Sequence, residues 1–76
     1  MAYYGKRKWL EDIRYKKRWS QSRTAVEAGI SQAMYSRIEL GYNDPSQEQA
    51  SAIAKALGFD VGLFETQDAA MREAAV

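Results

Sequence analysis

The chain has 76 residues, without cysteine or histidine, and a domain of this size buries only about 60% of the surface its unfolded chain exposes, so it depends on efficient packing. Losing both residue types excludes disulfides, zinc-thiolate sites and the usual nucleophile and base pairings, so neither an enzyme nor a metal or other cofactor is expected. The formal charge of +1 is uninformative, but the halves differ. Residues 1–38 hold nine basic side chains (Lys6, Arg7, Lys8, Arg14, Lys16, Lys17, Arg18, Arg23, Arg37) against Glu11, Asp12 and Glu27, a net of +6, whereas residues 39–76 net −5. Such a division gives one face that attracts polyanions and another that repels them. No apolar run approaches the roughly 20 residues of a membrane span, and the basic, aromatic start has no apolar signal region, so a soluble cytoplasmic chain is expected.

One proline and no alternating β-branched runs predict an all-α fold, a compact five-helix bundle. Trp9, Leu10, Ile13 and the stem of Lys17 recur at helical spacing, which predicts a first helix over about 7–17 with its basic side chains outward. Ser20 is an N-cap for a second helix over about 21–28, and Gly29 ends it. Ser31 caps a third over about 32–40, flanked by Ile30 and Tyr35 at the spacing of a hydrophobic staple and closed by Gly41. After the turn residues 42–45, Ser46 and Gln49 form a capping box for a fourth helix to Leu57, which Gly58 stops. Asp60 caps a short fifth helix with Phe59 and Phe64 as a second staple pair. The organisation expected is a basic and aromatic N-terminal arm at 1–6, a main domain at 7–66, and at 67–76 either a helical extension or a frayed tail.

The join Ala28-Gly-Ile-Ser31 separates two helices of about eight residues by a short turn containing glycine, which is helix-turn-helix spacing. Further strings agree with it: Leu10-Glu-Asp-Ile-Arg14, Ser20-Gln21, Tyr35-Ser-Arg-Ile-Glu39 with Gly41, Pro45-Ser46, and Ile53-Ala-Lys-Ala-Leu-Gly58. Read together, these make the chain resemble the Cro/CI-type (XRE-like) helix-turn-helix family of phage and bacterial transcriptional regulators. The resemblance implies a lambda-repressor-like DNA-binding domain whose third helix enters the major groove. It also implies that Gln21 touches phosphate and steadies Gln32, and that Arg14 and Glu39 form an enclosed ion pair.

Helical geometry turns Gln32, Ala33, Ser36 and Arg37 away from Tyr35 and Ile38, so these four are the expected base contacts. Gln32 suits adenine, Arg37 suits guanine or a phosphate, and Ala33 and Met34 suit a thymine methyl. Expected backbone contacts, by the resemblance, are Gln21, Ser22, Arg23, Ser31, Met34, Tyr42 and Asn43. Tyr3, Tyr4, Lys6, Arg7 and Lys8 form either an arm along the phosphate backbone or a tail folded on the core. Departures from the family pattern are Thr24 where leucine is usual, Arg18 where glycine is common, an outward Val26, and Tyr35, Trp9, Tyr15 and Trp19 as larger core occupants.

The expected partner is double-stranded operator DNA, bound as a homodimer by a repressor-like regulator. A dimer contact is expected at Phe59, Val61, Leu63 and Phe64, with the Met71 stripe beside it; the competing assignment makes Phe59 and Phe64 core residues of the fifth helix. The alternative function is an antitoxin or protein-interaction adaptor that keeps the fold.

Overall fold

The computed structural model describes residues 5–74 as a five-helix bundle of 34 × 21 × 21 Å. Its helices are α1 (Lys8–Lys16), α2 (Gln21–Ala28), α3 (Gln32–Leu40), α4 (Gln47–Leu57) and α5 (Leu63–Ala74). Strands are absent among the described residues. Tyr3 and Tyr4, to which an arm is assigned above, lie outside them.

The local signals act as the chemistry demands. The hydroxyls of Ser20, Ser31 and Ser46 accept hydrogen bonds from the amides of Arg23, Met34 and Gln49, at 3.0, 3.0 and 3.1 Å. Gln49 returns the bond to the amide of Ser46, completing the capping box. Gly29 and Gly41 take left-handed conformations directly after α2 and α3. At Gly41 more than φ is at stake, because a Cβ there would collide with the carbonyl of Gly5, which crosses the end of α3. Arg18 stands at φ 59°, the only non-glycine positive φ among the described residues. Asp60 accepts the amide of Gly62 at 2.7 Å in the turn before α5. The region beyond residue 66 is helical as far as Ala74.

Leu10, Ala25, Tyr35, Ile38, Ala50, Ile53, Leu57 and Phe64 form the core, with Trp9, Ile13, Trp19, Ile30, Met34 and Phe59 packed against it. Phe59 and Phe64 meet Trp9 edge-on, at ring centroid distances of 5.6 and 5.0 Å. Thr24 is buried without loss, since its hydroxyl donates to the carbonyl of Ser20 at 2.9 Å.

Three expectations are corrected. Tyr15 adds nothing to the core: it is exposed, with the Arg14 guanidinium 4.7 Å over its ring. Lys17 lies beyond α1, and its ammonium stands 4.7 Å over Trp19 instead of covering the helix stripe. Arg7 belongs to no basic arm, being 3% exposed at the N-cap of α1.

Candidate nucleic-acid interface

Helix α3 has two unlike faces. Tyr35, Ile38 and Glu39 are buried, while Gln32, Ala33 and Arg37 are exposed and Ser36 is half-buried. Three of the four expected base contacts therefore present open side chains on one side of α3, and Ser36 lies at the edge of that side. Arg37 has no ion-pair partner among the described residues, so its guanidinium is available to an external acceptor.

The buried face is held by a polar network. Arg14 donates from Nε and Nη2 to the two carboxylate oxygens of Glu39, each at 2.8 Å, and from Nη1 to the carbonyl of Trp19, also at 2.8 Å. Tyr35 donates its hydroxyl to Glu39 Oε2 at 2.7 Å, and Gln21 donates its amide to Oε1 at 3.1 Å. Glu39 is 1% exposed and Arg14 5%. Burial alone raises a carboxyl's pKa, but here the donors Arg14, Tyr35 and Gln21 outweigh it and hold Glu39 below its ordinary value. Burial, and then the bond to Glu39, pushes the Tyr35 hydroxyl far up, so it stays a proton donor. The hydrogen bond to Glu39 keeps Arg14 charged at any ordinary pH.

The Arg14–Glu39 pair is thus present as the resemblance implied. Two members of the network were not foreseen. Tyr35, expected only as core bulk, supplies a donor. Gln21, expected to steady Gln32, uses an amide hydrogen on Glu39, which ties the first turn of α2 to the last turn of α3.

Among the expected backbone contacts, Ser22, Arg23, Ser31 and Tyr42 are exposed, and Gln21, Met34 and Asn43 are half-buried. Ser31 spends an acceptor site on its cap and keeps its hydroxyl proton for another partner. Met34 packs against the core, and its sulfur faces the Asn43 side-chain amide at 3.7 Å, so it is a weaker candidate for a thymine methyl than Ala33. Arg23 lies 3.7 Å from Glu27 and 4.7 Å over the Trp19 ring. Since Lys17 also stands over that indole, Trp19 orients two cations at the α1–α2 corner, beside exposed Lys16 and Arg18. Interleaved Lys, Arg and Trp over 16–23 is the sequence signal that could have revealed this cluster.

The basic half is less available than its count suggests. Arg7 and Arg14 are buried and paired. Lys6 and Lys8 face Glu11 and Asp12 at 3.2 Å each. Exposed cations without a carboxylate partner among the described residues are therefore concentrated at Lys16, Lys17, Arg18 and Arg37 in this half.

The proposed dimer surface is also reduced. Phe64 is buried and Phe59 half-buried in the chain's own aromatic cluster, which leaves exposed Val61 and half-buried Leu63 to meet a second copy. Met71 is half-buried on α5.

A short-turned pair α2–α3, with α3 locked on one side and open on the other, defines a helix-turn-helix protein, and comparison with known families agrees. The helix-turn-helix family matches residues 10–64, so the chain belongs to it, and its Cro/CI-type resemblance is that of DNA-binding transcriptional regulators. A relative from Bacillus subtilis (strain 168), described as the uncharacterized HTH-type transcriptional regulator YqaF, is 40% identical over 58 residues, 76% of each chain. No solved structure gives a significant match. No helix among the described residues is long and apolar enough to cross a membrane, and no group of three or more potential metal-ligating side chains occurs among them.

Proposed function

We propose that the chain is a sequence-specific double-stranded DNA-binding repressor that acts in the cytoplasm as a homodimer on a two-fold-related operator. The observation that carries this reading is the division of α3: Tyr35, Ile38 and Glu39 are fixed inside, and Gln32, Ala33 and Arg37 stand outside with no internal task. The exposed cations Lys16, Lys17, Arg18 and Arg37 favour it over an adaptor, which has no need to keep a positive face. In this reading residues 7–66 form the DNA-binding unit, with Ser36 at the rim of the base-reading surface. Gln21, Ser22, Arg23, Ser31, Tyr42 and Asn43 meet the phosphate backbone around it.

One recognition helix reads only a few base pairs, so useful specificity calls for two copies on half-sites about 34 Å apart. Val61 and Leu63 supply the apolar contact between copies, because they leave the basic first half free for DNA. Selection of bound sequences from a random duplex pool, with the mass of the complex measured alongside, tests all of this. The expected outcome is a two-fold-related sequence bound by two chains. Recovery of no preferred sequence would refute specific binding, and a single chain per duplex would refute the homodimer.

A further inference from the structure

Arg7 is the most heavily bonded side chain outside the Glu39 network, and DNA reading as described above assigns it no task. Its Nη1 donates to the carbonyls of Ile38 at 2.6 Å and Asn43 at 3.0 Å. Its Nη2 donates to Asp44 Oδ1 at 2.7 Å and Asp68 Oδ2 at 2.9 Å, and its Nε to both Asp68 oxygens at 3.1 Å. All five guanidinium N–H donors thus have acceptors, and the Arg7 main-chain amide donates to the carbonyl of Glu39 at 2.7 Å. Trp9 completes the cluster by donating its indole N–H to Asp68 at 3.3 Å.

These partners belong to three separate parts of the chain. Ile38 and Glu39 are in the last turn of α3, where carbonyls lack helical partners. Asn43 and Asp44 are in the loop between α3 and α4, and Asp68 is in the middle of α5. A lysine, with three donors around one point, cannot reproduce a planar fork reaching all of them. The loop also carries a problem that Arg7 solves. Asp44 is largely exposed, and a bare carboxylate beside a phosphate backbone repels it; Arg7 holds that carboxylate in place and offsets part of its charge, the rest of the cation being shared with Asp68.

We propose that Arg7 is a positioning residue that seats the 42–44 loop for contact with the DNA backbone and couples that seating to α5. The proposal rests on the DNA-binding reading above. Arg7 touches no DNA itself, since it is enclosed; it acts through the carbonyl of Asn43 and the carboxylate of Asp44.

The test uses the full chain and a short duplex carrying the sequence recovered by pool selection. Melting curves first define a temperature at which each variant is fully folded, and affinities are compared only there. Arg7→Lys is expected to bind about tenfold more weakly, the scale of one charge-assisted hydrogen bond. Asn43→Ala should weaken the wild type but have little further effect in the Arg7→Lys background, because both changes disable the same loop. Asp68→Ala, which leaves the loop's own sequence intact, should weaken binding in the same direction and show the same coupling to Asn43→Ala. A folded Arg7→Lys protein with wild-type affinity, or losses that simply add to those of Asn43→Ala, would overturn the proposal. If Arg7→Lys does not fold, Asp68→Ala decides alone: unchanged affinity overturns the proposal, and coupled loss supports it. Wild-type protein that binds no duplex removes the DNA-binding reading and this proposal together, whereas wild-type binding with indifferent variants removes the proposal only.

Discussion

Arg14 and Arg7 both grip the last turn of α3, and they do so by different chemistry. Arg14 engages one enclosed carboxylate with a bidentate fork, and Tyr35 and Gln21 complete the shell of Glu39. Arg7 spreads its donors over two carbonyls and two carboxylates, one of them largely exposed. The first arrangement concentrates its energy in one pair that fails when either member is removed. The second distributes it over several acceptors, of which the two carboxylates retain some access to water. Ion pairs of similar distance therefore differ in what their loss does: the enclosed pair is a matter of stability, and the distributed hub a matter of where a loop sits.

That contrast can be broken by substitution. Arg14→Ala or Glu39→Ala leaves a buried charge alone, and each should cost about 3 to 5 kcal/mol in thermal or denaturant unfolding. A double-mutant cycle should show strong coupling; near-additive losses would mean that the two groups do not act as a pair. Arg7→Ala should cost less, about 2 to 3 kcal/mol, because Asp44 and Asp68 can be hydrated in its absence. A larger loss at Arg7 than at Arg14 would invert the comparison.

The open face of α3 sets the opposite limit. Arg37→Ala and Gln32→Ala should each reduce discrimination at one base pair by about 1 to 3 kcal/mol, measured against single-base variants of the selected site. Stability should change by no more than about 0.5 kcal/mol. Unfolding by either substitution would contradict the division of α3 into a locked and a free face.

The smallest effect discriminates most finely. Tyr35→Phe removes one donor from Glu39 and should cost about 1 kcal/mol near neutral pH. Glu39 has a folded pKa below its ordinary value of 4.5. Its contribution is therefore complete above the ordinary carboxyl range and is lost as pH falls through the lowered folded value. The Tyr35→Phe deficit should accordingly shrink on acidification, as Glu39 becomes protonated in both proteins. A deficit constant down to low pH would show that the hydroxyl acts by packing and not through the carboxylate.

How much of this was legible in the sequence depended on range. Serine caps, glycine stops and the capping box at Ser46 and Gln49 are local chemistry, and each lies where the residues placed it. The Arg14–Glu39 pair spans 25 positions and was reached through family resemblance, with no help from periodicity. Arg7 reads in the sequence as one more basic residue of the N-terminal arm, because its partners lie 31 to 61 positions away. A signal did exist: Asp68 follows Phe64 by four residues, so it falls on the buried stripe of α5, and an acid on an apolar stripe calls for a cation. The donor role of Tyr35 is hidden for another reason. Its ring fits a hydrophobic slot, and nothing in its neighbours announces that the hydroxyl end has a carboxylate to meet. Phe64 entered the candidate dimer surface because hydrophobicity does not distinguish a chain's own core from an interface.

The separation of Arg7 from Asp68 has a kinetic consequence. Their contact closes a loop of 61 residues, whereas α2 packs against α3 and α4, the next two helices in the chain. Closing the long loop forfeits more chain entropy and gains little until the central helices are assembled. The bundle should therefore form its middle first and fasten its two ends last. In a chevron experiment, Arg7→Ala then leaves the folding rate almost unchanged and accelerates unfolding, the behaviour of a contact absent from the transition state. The hub at Arg7 is in that sense a latch on the native lifetime of the protein, set after the reading helix is already in place.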